Sequence, residues 1–240
     1  MDAEERANAK KESLHAQAER HAVYVIIDAV FGLSLGLGAF SLTELPIVNT
    51  QDLFVSVGFF GFSYVIIFVS WMIIRRYFVG YTVYGSANMI LFFTGFFVAV
   101  MPIPIRLILM QFLEPTSPEV LNGALTLYSL CLCALTNTVG VLGFAFSKQS
   151  WQSAPWDDLM HVLAEGVAAC ALGLVFLISA FLPLEPSITD VLGPRLTALL
   201  PAGVADLPFK VGFWFLGAIT IAVPALLVTR IVLWRRRPRK

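Results

Sequence analysis

Charge is what this sequence lacks most. Only 13% of its 240 residues are Asp, Glu, Lys or Arg, against 58% hydrophobic, whereas a soluble globular domain carries about a quarter charged residues. An ordinary soluble domain is thereby excluded. Histidine is nearly missing as well: His15, His21 and His161 are the whole set. No Ser/His/Asp set, HExxH sequence or phosphate-binding loop occurs, so no machinery for catalysis is visible. The three cysteines, Cys131, Cys133 and Cys170, sit inside apolar segments without the spacing of a metal site or a disulfide framework. They read as small buried hydrophobes. No cofactor, no metal and no nucleic-acid partner is expected.

What the chain has instead is apolar length. Its mean hydropathy is +0.80, and a bilayer core of roughly 30 Å needs about 20 apolar residues per helix. Six segments meet that test: Ala22 to Leu45, Leu53 to Ile74, Ala87 to Met110, Val120 to Phe146, Leu159 to Leu182 and Phe209 to Trp234. The expected fold is therefore all-α, an integral membrane bundle of six transmembrane helices (residues 22–234). Residues 1–21 are charged and lack the apolar core of a signal peptide, so they are expected to form a cytoplasmic helix. Residues 235–240 form a basic tail. No internal repeat is evident, and no room remains for a sizeable soluble domain.

The net charge is +0, with 16 basic and 16 acidic residues, but the basic residues are unevenly placed. With the N-terminus inside, all lysines and arginines except Arg106, Arg195 and Lys210 fall in inner segments. The positive-inside rule then puts both termini in the cytoplasm. The tail from Arg235 to Lys240 is suited to anionic headgroups, and equally to a plain stop-transfer flank. Prolines mark the turns. Residues 75–86 and 148–158 read as inner loops, and 183–208 as a long outer connection with a helix at Ile188 to Leu200. Pro102 and Pro104 each remove a backbone donor, so the third span should kink or break there. Arg106 should snorkel to the headgroups.

Polar residues inside such segments are costly and call for partners. Asp28 lies in the first span, and Arg75 and Arg76 close the second. Asn88 opens the third, and His161 and Glu165 lie one turn apart on the fifth. Under this topology they share the inner depth and form a candidate ionic and hydrogen-bonded network. Asp28 reads equally well as a structural or a functional acid, and Glu165 more readily as structural. At about 100° per residue, Asp28, Gly32 and Gly36 share one stripe of the first span. Leu33, Leu37 and Phe40 form a second. Gly32-x-x-x-Gly36 is a spacing that lets helices pack closely. The Leu/Phe stripe fits lipid, core, or a constriction that gates by dewetting. Val79-Gly80-Tyr81 has part of a potassium-channel carbonyl filter but lacks the flanking Thr and Gly.

Two runs carry a family resemblance. Trp71-Met72-Ile73-Ile74-Arg75-Arg76-Tyr77-Phe78 closes the second span. Asn88-Met89-Ile90-Leu91-Phe92-Phe93 opens the third, which ends Met101-Pro102-Ile103-Pro104. Together with Asp28-Ala29-Val30-Phe31, this resembles the prokaryotic relatives of the endolysosomal potassium channel, the transmembrane protein 175 family. The resemblance covers about the first 110 residues and the six-span plan. It implies a tetramer in a prokaryotic plasma membrane whose pore is lined by the first helix, without a re-entrant filter. By position, Asp28 matches the motif acid and Leu33 the first constriction residue, with Leu37 and Phe40 continuing outward. Trp71, Arg76 and Asn88 match network residues. Ile26, Ile27, Ala22, Ile74 and Gly36 depart from the family pattern, Ile74 standing where the family has His.

The function expected from this resemblance is an oligomeric cation channel, permeable to potassium. Two alternatives stay open. One is a proton-coupled transporter or proton pathway using Asp28, His161 and Glu165. The other is a non-conducting scaffold whose glycines close the axis.

Overall fold

Serines, threonines and glycines interrupt the apolar runs without breaking them, and the outcome is a bundle of long helices. The computed structural model describes residues 21–22, 25–40, 50–80, 86–114, 117–150, 155–185, 208–217 and 223–235, with the single residues 43, 45, 47 and 220. Among these, every regular element is helical: α1 (Val25–Phe40), α2 (Thr50–Gly80), α3 (Ser86–Val100), α4 (Pro102–Leu113), α5 (Pro118–Ser150), α6 (Trp156–Phe181), α7 (Phe209–Gly217) and α8 (Val223–Arg235). The expected N-terminal helix (save its last residue), the helix at 188–200 and the tail beyond Arg235 lie outside the described residues.

Among the described residues, four stretches are long and apolar enough to cross a membrane: Ser56–Tyr77, Met89–Leu113, Pro118–Lys148 and Asp158–Phe181. These mark an integral membrane protein. The helices overrun several expected boundaries. Arg75, Arg76 and Tyr77 belong to α2 and not to a loop, and Lys148 belongs to α5. An unbroken hydrogen-bond ladder costs less than exposed backbone near hydrocarbon, so the charged ends stay helical. The sixth expected segment is described as two helices, α7 and α8.

α5 is the hub. It packs against α2, α3, α4 and α6, while α6 also packs against α7 and α8. Of its most apolar window 61% is buried, against 22% for α2. Its polar residues explain this position, because a helix surrounded by protein can carry groups that lipid would reject. Most of those groups close on their own helix: Ser129, Thr136, Thr138 and Ser147 donate to carbonyls one turn back at 2.8–2.9 Å, and Asn137 does so at 2.9 Å. Thr138 further pairs with Thr94 of α3 at 2.7 Å.

The antiparallel α5–α6 pair is drawn together by glycine. A Cβ on Gly140 would overlap Cys170 Sγ and stand 3.0 Å from the Gly166 carbonyl; one on Gly143 would lie 3.3 Å from Gly166 Cα. The close packing expected at Gly32 and Gly36 is not found within the chain, since a Cβ at either would meet nothing within 4 Å. α1 instead turns Ile27, Phe31 and Ser34 inward and faces α2 at Gly38, where a Cβ would stand 3.0 Å from the Phe60 ring.

The third span is interrupted at its prolines but does not end there: α3 stops at Val100, α4 starts at Pro102, and the apolar stretch runs on to Leu113. Met101 joins α3 to α4 with helical dihedrals (φ −54°, ψ −35°). Pro102 leaves the Val98 carbonyl without its usual i+4 donor. The Ser34 hydroxyl of α1 donates to that oxygen at 2.5 Å, and the Met101 N–H reaches it at 3.3 Å.

Gly140→Val forces backbone apart along the α5–α6 seam. We expect it to destabilise the protein by about 2–3 kcal/mol or more, read as a lowered melting temperature in detergent. Gly123→Ala on the same helix, where a methyl group meets open space, should not lower it.

Candidate functional site

One end of the bundle gathers most of the acids and bases singled out above. Asp28 is half-buried on α1 and accepts a hydrogen bond from Trp71 Nε1 of α2 at 2.7 Å. One turn on, Arg75 lays its guanidinium over the Trp71 ring, 5.3 Å from the centroid, a cation–π contact. The pairing of Asp28 with Trp71 fixes the start of α1 against α2 and satisfies a carboxyl group that lipid could not.

A second cluster lies beside it. Arg76 Nη2 is 2.6 Å from Glu165 Oε2 of α6, and the Tyr77 hydroxyl donates to the same oxygen at 3.3 Å. Tyr77 is buried and stacks on Phe146 of α5 with ring centroids 5.9 Å apart. This cluster ties α2, α5 and α6 together. Arg76 is 54% exposed and Glu165 23%, so the pair itself is worth on the order of 1 kcal/mol or less; its geometry matters more than its strength. His161 is exposed one turn before Glu165. Asn88 belongs to α3, but its side chain lies outside the described residues. Ile74, in the place of the family's histidine, is buried in the core.

The α1 residues stand apart from both clusters. Leu33, Leu37 and Phe40 are exposed by 63%, 45% and 61%, and Gly32 and Gly36 are uncovered beside them. The core reading of the Leu/Phe stripe is thus ruled out within the single chain.

The opposite end of α5 and α6 holds a group whose burial the sequence did not reveal. Lys210, expected on the outer side at the head of the sixth segment, lies in the first turn of α7 with no exposed surface. Its Nζ donates to Asn122 Oδ1 (3.0 Å), Thr126 Oγ1 (2.7 Å) and the Ala180 carbonyl (3.2 Å). One turn on, Trp214 Nε1 donates to Ser179 Oγ at 2.6 Å, its ring 5.2 Å from that of Tyr128. Tyr128 in turn pairs with Ser63 of α2 at 2.5 Å. A single lysine at the head of an apolar run, far along the chain from Asn122 and Thr126 on another, was the only available signal. Ser34 was also passed over, although the freed carbonyl at Val98 follows from Pro102 alone. Among the described residues, no three His, Cys, Asp or Glu side chains come together as a metal ion would need.

Trp71→Phe keeps a ring beneath Arg75 but removes the donor to Asp28. We expect a loss of about 1.5–3 kcal/mol, the usual range for a hydrogen bond to a carboxyl group, measured by thermal unfolding in detergent. Asp28→Asn keeps an acceptor oxygen and should lose less.

No protein-family model, no curated protein and no solved structure matches this chain.

Proposed function

We propose that the protein is an oligomeric cation channel, permeable to potassium, in which the first helix of each copy lines a central axis. One observation carries this reading: α1 exposes Leu33 and Phe40 by 63% and 61%, and a Cβ at Gly32 or Gly36 beside them would meet nothing within 4 Å. Glycine offers little contact area to lipid, but it lets a second helix come close. A second copy of the chain satisfies that face, and a closed ring of copies places α1 around the symmetry axis. We take the ring to be a tetramer, as the family resemblance implies.

In such a ring Leu33, Leu37 and Phe40 narrow the axis. An apolar constriction of this kind controls ions by dewetting, without a carbonyl filter. Asp28, held by Trp71 at 2.7 Å, anchors the start of the lining helix. The two carboxyl groups that a proton pathway would use, Asp28 and Glu165, are both engaged by α2 side chains, which favours anchoring over relay. The distribution of Lys and Arg supports six spans with both termini cytoplasmic, and the family resemblance implies a prokaryotic plasma membrane.

Purified protein in liposomes should pass potassium, and Leu33→Ala should raise the flux several-fold by widening the constriction. Potassium and sodium fluxes compared on the same vesicles give the selectivity. Silence of both wild type and Leu33→Ala toward either ion sinks the channel reading. Native mass spectrometry should find four copies; a monomer would leave the α1 face without the partner invoked for it.

A further inference from the structure

We propose that Ser34 is the positioning residue of the first helix. Its hydroxyl takes over the carbonyl that Pro102 deprives of a donor, and so fastens α1 to the third span at its prolines. The contact joins residues 64 positions apart at 2.5 Å, and both groups are buried. Val98 is fully buried and Ser34 is 3% exposed, so water does not replace either partner. Without Ser34 this carbonyl keeps only the Met101 N–H at 3.3 Å, and under-satisfied polar groups are costly in an apolar interior; serine is the smallest side chain that can add a donor without holding the helices apart.

The same two helices also border a half-open apolar groove of about 350 Å³, lined by Ile27 and Val30 of α1 and by Leu91, Gly95 and Ala99 of α3, among others. There a Cβ placed on Gly95 would lie 3.7 Å from Val30 Cγ1. On its other side α1 is held to α2 by the hydrogen bond of Asp28 with Trp71. The Ser34 contact adds a polar link between α1 and the third span. The backbone is helical through Met101, so a residue with an N–H at position 102 would aim that group at the Val98 carbonyl and satisfy it from within its own helix, without linking α1.

This deepens the channel reading, and its bearing on conduction rests on that reading, but the joint can be tested without ion flux. Val30→Cys and Gly95→Cys bring two thiols to within disulfide reach. Oxidation in native membranes, followed by mass spectrometry of the linked peptide, measures how often α1 closes on α3. Adding Ser34→Ala should slow this cross-link about fivefold, the order expected when one net hydrogen bond is lost. Ser34→Thr should restore the rate. The decisive variant combines Ser34→Ala with Pro102→Ala, which returns a backbone donor to Val98 but no link to α1, so it should fold and still cross-link slowly. A slow rate in the pair supports the proposal even if Ser34→Ala alone fails to fold. An unchanged rate in Ser34→Ala overturns it, and so does recovery of the original rate by Pro102→Ala. Flux through the same variants in liposomes addresses the channel reading separately: a cross-link that responds while no variant conducts keeps the joint and removes the channel.

Discussion

Hydrocarbon offers no hydrogen bonds, and nearly every feature of this bundle answers to that constraint. The helices run on through Arg75, Arg76 and Lys148 because the ladder protects the backbone. The hydroxyls of α5 fold back onto its own carbonyls. Where the ladder fails, at Pro102, a side chain from another helix completes it. Where a cation lies inside, at Lys210, three oxygens from α5 and α6 surround it. The interior is polar at chosen points and complete at each of these.

Completeness of this kind assigns places to the helices. α5 carries Asn122, Thr126, Ser129, Thr136, Asn137, Thr138 and Ser147, and its centre in the bundle follows from that load as much as from its apolar residues. Its glycine seam with α6 brings backbone close to backbone, where dispersion contacts act without a hydrophobic driving force. α2 lies at the periphery, yet it reaches the interior through Ser63 and Tyr77 and reaches α1 through Trp71. The aromatic cluster around Trp214, with Tyr128, Phe59, Phe62 and Phe176 within 6.4 Å between centroids, binds α7 to α2, α5 and α6.

Helix content was legible from hydropathy alone, because apolar length is a one-dimensional signal. A polar network holding Asp28, Arg76 and Glu165 was legible in outline, since an acid in lipid needs a partner; Trp71 entered only through the family resemblance, and which groups pair was not legible. Which glycines close a helix pair was not. Gly32-x-x-x-Gly36 and the Gly140, Gly143, Gly166 set look alike as strings; only the three-dimensional neighbours separate an open face from a seam. The burial of Lys210 was missed for a related reason. A lone lysine beside an apolar run reads as a flank, and its three acceptors are scattered over Asn122, Thr126 and Ala180, up to 88 positions away. Ser34 needed one further step, from a proline to the carbonyl it leaves unmet.

The site of Lys210 also couples the seat of α7 to the pairing of two other helices. Its three oxygen partners come from α5 and α6, and they stand together only once those two helices have paired. Until then the ammonium group is better served by water than by anything in the membrane. The lysine therefore makes the seat of α7 favourable only on a bundle in which α5 and α6 are already joined, and unfavourable on any other arrangement of the same helices.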